Sequence, residues 1–357
     1  MTTIAEPIKR SHRYQNLLTD LKSGNKTILL DGPISTELDA RGVTMSSGKG
    51  RRASIDNREA LIQVHMDYIK AGARIITTHT FGGNRDRLGQ DFEELTRGAV
   101  ECAMEARRRT ETEDSVIIAG SIAYHTAQGP NNYDPKQDPE SWESDINDLV
   151  ELLKISGVDV MLLEMVGGPT FTVPIIRAVQ SSRMPFWVGF SATDTDRTVG
   201  RIGRHESDLR VYDNPGTPVD DALPDLIRFA IEGEKETFKN DGDSGVDIIG
   251  AMHCKPDALG KVLQAIQTHG WNGLMMAYPD DVREWDPSIS KVVTGNDPVN
   301  VFSDHCLGWR RDFPKCTILG ACCGFSVKHI AALNQSCLLY TSPSPRDATL
   351  SRMPSSA

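Results

Sequence analysis

A single-domain α/β protein built as a (β/α)8 barrel of the TIM type is what this sequence predicts, and three observations carry the expectation. Eight short apolar runs alternate with stretches of helical periodicity. The runs are nearly continuous in aliphatic residues, as parallel strands covered on both faces should be. Each run then breaks near a polar or reactive residue, and in such barrels the C-terminal strand ends carry the chemistry.

Taken in order, residues 1 to 26 read as a polar N-terminal extension, with a short helix around Tyr14 to Leu21 packed on the outside and no chemical role. The barrel is expected over residues 27 to 336. Its first strand, Thr27 to Leu30, stops at Asp31-Gly32-Pro33, a strand end followed by a tight turn. Leu61, Ile62, Val64, Ile69 and Ala71 keep helical spacing from Arg58 to Ala71, and Gly72 closes that helix. Strand two, Arg74 to Thr78, runs into His79-Thr80-Phe81. A long helix from Asp91 to Arg109 precedes strand three, Ser115 to Ala119, which ends at Gly120-Ser121. The run Arg107-Arg108-Arg109 reads as a solvated helix end.

The rhythm continues with a helix over Ser141 to Ser156, strand Val158 to Leu163 ending in Glu164, helix Thr170 to Ser181, and strand Phe186 to Phe190 ending at Ser191. A polar loop, Ala192 to Val219, and a helix from Ala222 to Lys239 lead to strand Asp247 to Ala251, which ends at Cys254. The helix Asp257 to His269 leads to strand Leu274 to Ala277, ending at Tyr278-Pro279-Asp280. A helix near Val299 to Arg310 precedes the eighth strand, Cys316 to Leu319, which ends at Cys322-Cys323. From Cys337 onward the periodicity stops. Residues 337 to 357 resemble a translated sequencing adapter and read as a disordered, non-native tail that cuts the last helix short.

Bulk properties narrow the function. The chain has 357 residues, 39% hydrophobic and 25% charged, with no apolar run near the roughly 20 residues of a membrane helix. A net charge of −10 argues against nucleic acid as a partner. Seven cysteines, odd in number and unevenly spaced, do not form a disulfide framework and fit a reducing compartment. No apolar segment of a secretory signal follows Lys9, Arg10 and Arg13, so the cytoplasm is the expected location. Oligomeric state leaves no mark that can be read.

The chemistry centres on Cys322 and Cys323. Adjacent cysteines rarely close a disulfide on each other, whereas two thiolates can share one zinc ion at about 2.3 Å. Cys254, ending another apolar run, is the best candidate for a third ligand. The expectation is a Zn2+ site of Cys254, Cys322 and Cys323 with one open position, the arrangement of a catalytic rather than a closed structural site. The opposing possibility is that these cysteines are small core hydrophobes; Cys102, Cys306 and Cys316, placed on helices or strands, are expected to be core or surface residues without a role.

Several stretches together resemble the zinc-dependent homocysteine S-methyltransferases. They are Leu30-Asp31-Gly32 with Ser35-Thr36-Glu37-Leu38, the run from Tyr68 to Phe81, Leu162-Leu163-Glu164, Cys254 with Pro256, Tyr278-Pro279-Asp280, and Gly320-Ala321-Cys322-Cys323-Gly324-Phe325. The resemblance covers Thr27 to Leu333. Against the family pattern, Ala321 stands for a glycine, His79 for an asparagine and Pro33 for a small residue. The resemblance implies methyl transfer from a small onium donor, of the S-methylmethionine or betaine type, to homocysteine held as a zinc thiolate, giving methionine. It further implies that Asp31 and Glu164 take the substrate amino group, with Thr78 and Ser191 as polar contacts. Tyr278 either closes the donor pocket or packs, and His79 reads as a satisfied loop histidine rather than a ligand. Other readings are a methyltransferase for selenocysteine or another thiol, and a barrel that keeps zinc without turnover. An aldolase would need a Schiff-base lysine, and no strand end offers one.

Overall fold

The computed structural model of the chain describes residues 8–24, 26–44, 50–83, 85–123, 139–193, 210–211, 219–233, 244–286, 291–294 and 298–341. Eight parallel strands close into a barrel: β1 (Ile28–Leu30), β2 (Ala73–Thr77), β3 (Ile117–Ala123), β4 (Val160–Val166), β5 (Phe186–Phe190), β6 (Val246–Met252), β7 (Met275–Tyr278) and β8 (Cys316–Leu319). Neighbours in the barrel are neighbours in sequence, and the ring closes where Ile28 pairs with Ile318. Helices connect the strands, among them Arg58–Lys70, Phe92–Arg109, Pro139–Ser156, Pro169–Ser182, Pro256–Thr268 and Val299–Asp312. Pro169 and Pro256 open their helices, where a missing N–H costs nothing. The expected (β/α)8 architecture is therefore the one observed.

Two short antiparallel ribbons decorate the barrel, Ala192–Thr193 with Arg210–Val211 and Val282–Asp286 with Lys291–Thr294. The first lies inside the stretch expected to be a polar loop; residues 194–209 and 212–218 lie outside the described ones. The helix expected from Ala222 to Lys239 is observed as Val219–Glu232, and residues 234–239 again lie outside the described residues.

Strand pleating sorts the core into two layers. One layer packs the helices on the sheet, through residues such as Val188, Ile249, Leu263 and Leu319. The other fills the lumen with Ile75, Leu162, Trp187, Ile248, Met276 and Ile318. Gly250 belongs to this geometry because a Cβ there would fall 2.0 Å from the Met276 carbonyl oxygen, so any side chain would force β6 and β7 apart.

The N-terminal helix α1 (His12–Lys22) departs from expectation. It does not lie on the outside: Tyr14, Leu17, Leu18 and Leu21 are buried and complete the lumen layer. Their polar neighbours Asp159, Asp247 and Arg74 sit at the N-terminal ends of β4, β6 and β2, so α1 is the floor of the barrel. At about 1.5–3 kcal/mol per fully buried large apolar side chain, this floor contributes several kcal/mol to the fold. It is also bonded. The Tyr14 hydroxyl accepts from Trp187 Nε1 at 2.8 Å and donates to Asp247, which also receives Arg10. The Ser11 hydroxyl caps α1 by accepting from the Tyr14 N–H and donates to Asp159.

Arg107 corrects a second expectation. Within the run taken for a solvated helix end, its guanidinium is buried and donates to Asp159 at 3.1 Å, while Arg108 and Arg109 pair with Glu105 on the surface. The three arginines point in different directions because successive helical residues are about 100° apart. At the other end of the chain, the last helix Val327–Thr341 continues past the position where the non-native tail was expected to begin, with Cys337 buried. Residues 342–357 lie outside the described ones.

Candidate metal centre and active site

The C-terminal strand ends converge as predicted, and the potential metal donors they bring together are His253 with the expected Cys322 and Cys323. Ligand atoms of His253, Cys322 and Cys323 lie within 4.8 Å of one another, and among the described residues this is the group of histidine, cysteine and acid side chains close enough to hold a metal ion. The two sulfurs are 3.9 Å apart, and His253 Nδ1 is 3.3 Å from Cys322 Sγ. Two zinc–sulfur bonds of about 2.3 Å at a tetrahedral angle place their sulfurs about 3.8 Å apart. The pair therefore fits a tetrahedral zinc ion, with imidazole as a third donor and a fourth position left over.

Cys254 does not join this group. Its sulfur accepts from the Ala192 N–H at 3.2 Å and donates to the Met252 carbonyl at 3.1 Å, buried in the layer between helices and sheet. The cause lies in one backbone angle. Along β6, Ile248 and Met252 face the lumen and Ile249 and Ala251 face the helices, so continued alternation would turn Cys254 inward. His253 has a φ of +48°, in the left-handed region, which breaks the alternation. Cys254 then faces outward, and His253 meets the cysteine pair. For a residue with a side chain this conformation is costly and tends to occur at functional sites. Nothing in the sequence signals it except a potential ligand on either side of one peptide bond.

Cys322 and Cys323 follow β8 after Gly320 and Ala321, and Gly324, at φ +88°, turns the chain away behind them. The Cys322 N–H donates to the Pro279 carbonyl, and the Cys323 carbonyl accepts from the Asp281 N–H, so the cysteine loop is tied to the loop after β7. A hydrogen bond from Cys322 holds the Cys323 thiol well below its ordinary range, with His253 acting the same way, while Cys322 is pushed up.

Across the mouth are the two acids. Asp31 follows β1 and accepts from the Thr77 N–H at 2.8 Å and from the Thr77 hydroxyl. Glu164 projects from β4, accepting from the Ser121 hydroxyl and from the Tyr278 hydroxyl at 3.3 Å. Burial pushes Asp31 up to about 8 and Glu164 up to about 7, with the Thr77 bonds opposing the first shift and the Ser121 and Tyr278 bonds the second. Asp31 and Glu164 also repel each other, and no arginine or lysine among the described residues pairs with either. Two buried carboxyls without a cation are an attractive site for an ammonium group.

The remaining predicted contacts divide. Tyr278 bridges to Glu164 from the lumen. Thr78 uses its hydroxyl on the Ser121 N–H and on Thr80, and it is the neighbouring Thr77 that touches Asp31. The Ser191 hydroxyl donates to the Met252 carbonyl at 2.8 Å and lies 3.2 Å from the Met252 sulfur, bracing β5 against β6. His79 is not the satisfied loop histidine expected. Its Nδ1 is buried with no partner among the described residues, and burial lowers the ring to about 4. Besides His253 and Thr77, sequence reasoning gave no role to Asp280, whose Oδ2 is 3.2 Å from His253 Nδ1.

Comparison with known proteins agrees with this picture. Residues 28–337 match the family model described as Homocysteine S-methyltransferase. The homocysteine S-methyltransferase of Escherichia coli K12 is 24% identical over 345 residues, covering 89% of this chain and 97% of that protein. Betaine–homocysteine S-methyltransferase 1 of Sus scrofa is 23% identical over 184 residues, 50% of this chain and 64% of the other. In structure, the metallated form of the homocysteine methyltransferase MmuM from Escherichia coli superposes with a TM-score of 0.64 at 19% identity, over 89% of this chain and 99% of that one. With its barrel closed as described and the family match running across 28–337, the chain belongs to the homocysteine S-methyltransferase family.

Proposed function

We propose that this protein moves a methyl group from a small onium donor, of the S-methylmethionine or betaine type, to the thiol of homocysteine, giving methionine. The zinc ion the reaction calls for would be held by His253, Cys322 and Cys323. The observation that carries the proposal is the facing arrangement, in one barrel mouth, of a three-donor metal group and two buried acids without a cation.

When bound, zinc lowers the proton affinity of a thiol brought to its open position, so that the thiol reacts as a thiolate at neutral pH. This chain's residues supply the rest. Asp31 and Glu164 receive the ammonium group of the amino acid, whose positive charge offsets their burial and returns them to the carboxylate form. Thr77, Ser121 and Tyr278 hold the two carboxyls by hydrogen bonds and so fix the substrate between metal and acids. A sulfur–methyl bond forms as the donor's onium–methyl bond breaks. The onium charge is lost with the methyl group, and the leaving donor is neutralised at that atom without a dedicated base.

Purified zinc-loaded protein, incubated with homocysteine and each onium donor in turn, should form methionine with at least one of them. No methionine with any donor, from a folded protein holding one zinc per chain, would defeat the proposal.

A further inference from the structure

Glu37 lies in the short helix Ile34–Ala40, six residues beyond the acid Asp31. Its carboxylate is divided between two partners. Oε2 pairs with Arg41 at 2.6 Å, and Arg41 is anchored in turn on Asp67 of the helix Arg58–Lys70 at 2.7 Å. Oε1 accepts the N–H of Val327 at 2.9 Å, across 290 positions of the chain. Val327 opens the last helix, Val327–Thr341, four residues beyond Cys323. The unsatisfied N–H groups and the dipole of a helix start favour an anion there, and the Glu37 side chain is only 12% exposed, so water competes little for the bond.

That bond closes a frame at the mouth. β1 and β8 pair through Ile28 with Ile318 and Leu29 with Leu319, and the Ala321 N–H then donates to the Asp31 carbonyl at 3.2 Å. Past this point the two segments separate, one carrying the Asp31 carboxyl and the other Cys322 and Cys323. The bond from Val327 to Glu37 is the next tie between them among the described residues. A segment held at both ends has few positions left to it, so the tie limits how far the cysteine pair can stand from the acid. Cys322 and Cys323 belong to the metal group whether His253 or Cys254 completes it. An aminothiol that reaches from metal to acid must match that distance, and homocysteine is longer than cysteine by a methylene.

We infer that Glu37 is a positioning residue that fixes the span between the Asp31 carboxyl and the cysteine pair, and thereby selects homocysteine over the shorter aminothiol cysteine. The inference rests on the proposed reading of the mouth as a homocysteine site. Glu37 acts through Val327 and takes no part in the methyl transfer itself.

The test titrates cobalt-loaded wild type, E37A, E37Q and V327P with homocysteine and with cysteine, following the sulfur-to-metal absorption, so that binding is read without turnover. V327P removes the N–H from the other side of the bond and leaves the carboxylate and Arg41 in place, and proline is tolerated at the first position of a helix. In E37A and V327P the dissociation constant for homocysteine should rise about 10-fold, the low end for a hydrogen bond to a charged group, with cysteine affected less, so that the preference for homocysteine narrows. E37Q, which keeps an acceptor oxygen, should stay close to wild type. The wild-type preference in both E37A and V327P would overturn the inference, as would equal weakening of both aminothiols, the mark of a purely structural bond, or loss of cobalt from both variants. If E37A fails to fold, V327P decides by the same criteria. Wild type that binds homocysteine at cobalt yet forms no methionine when zinc-loaded would defeat the proposed methyl transfer and leave the selection by Glu37 standing; wild type that binds no homocysteine would remove both.

Discussion

The floor and the mouth of this barrel treat buried acids in opposite ways. At the floor, Asp159 receives Arg13 and Arg107, and Asp247 receives Arg10 and the Tyr14 hydroxyl. At the mouth, Asp31 and Glu164 are also buried, yet they are met only by hydroxyls and a backbone N–H, and their proton affinities rise to about 8 and about 7. Met165 and His253, next to Glu164 and Cys254, both have positive φ, at +52° and +48°. One end of the fold has its charges matched by the chain, and the other leaves acids and metal donors to be matched by what binds. Such unbalanced groups are expected where function has been placed at some cost in stability.

The strongest way to break this comparison is at the metal group. His253→Ala or Cys323→Ala should abolish stoichiometric zinc and take methyl transfer to background while the barrel still melts cooperatively; unchanged metal content by elemental analysis would remove these residues from the site. The mouth acids come next. Asp31→Asn and Glu164→Gln should each raise KM for homocysteine about 10- to 100-fold, the value of a hydrogen bond to a charged group. Steady-state kinetics at saturating donor would show it, and an unchanged KM would exclude the ammonium role.

The same acids set a pH dependence of opposite sign to that of a paired carboxylate. Because their folded-state values, about 8 and about 7, lie above the ordinary 3.8 and 4.5, the folded protein binds more protons than the unfolded chain between those limits. Stability is therefore fully present below about pH 4 as far as these groups are concerned, and is lost as pH rises through about 7 and 8. Denaturant melts of ligand-free wild type should show that loss, on the order of a few kcal/mol, and Asp31→Asn with Glu164→Gln should flatten it. A wild-type profile that rises across this window would contradict the burial argument.

At the floor, Arg107→Ala leaves Asp159 with Arg13 as its one cation among the described residues, beside the Ser11 hydroxyl and the Ile118 N–H. It should cost about 3 kcal/mol, the low end for breaking a buried pair, with zinc content unchanged. A cost near zero would mean that the floor pairing contributes no stability. The smallest effect is expected at Cys254. Cys254→Ala removes a thiol bonded to Ala192 and Met252 and should retain both zinc and turnover; loss of zinc would restore it to the ligand set.

Much of this protein follows from the sequence by itself. The alternation of apolar runs and helical stretches determined a closed parallel barrel, because strands buried on both faces have few other ways to be covered. The strand ends located the mouth and named Cys322, Cys323, Asp31 and Glu164, and the motif order named the family. Only the tertiary structure decided the rest. Whether His253 or Cys254 turns inward depends on a single left-handed residue at the end of β6, set by the packing around it rather than by local pattern. Likewise, the amphipathic α1 could be read as a surface helix until the open floor of the barrel supplied a face to bury it. Periodicity records which residues avoid water. It does not record which partner the closed barrel brings to them.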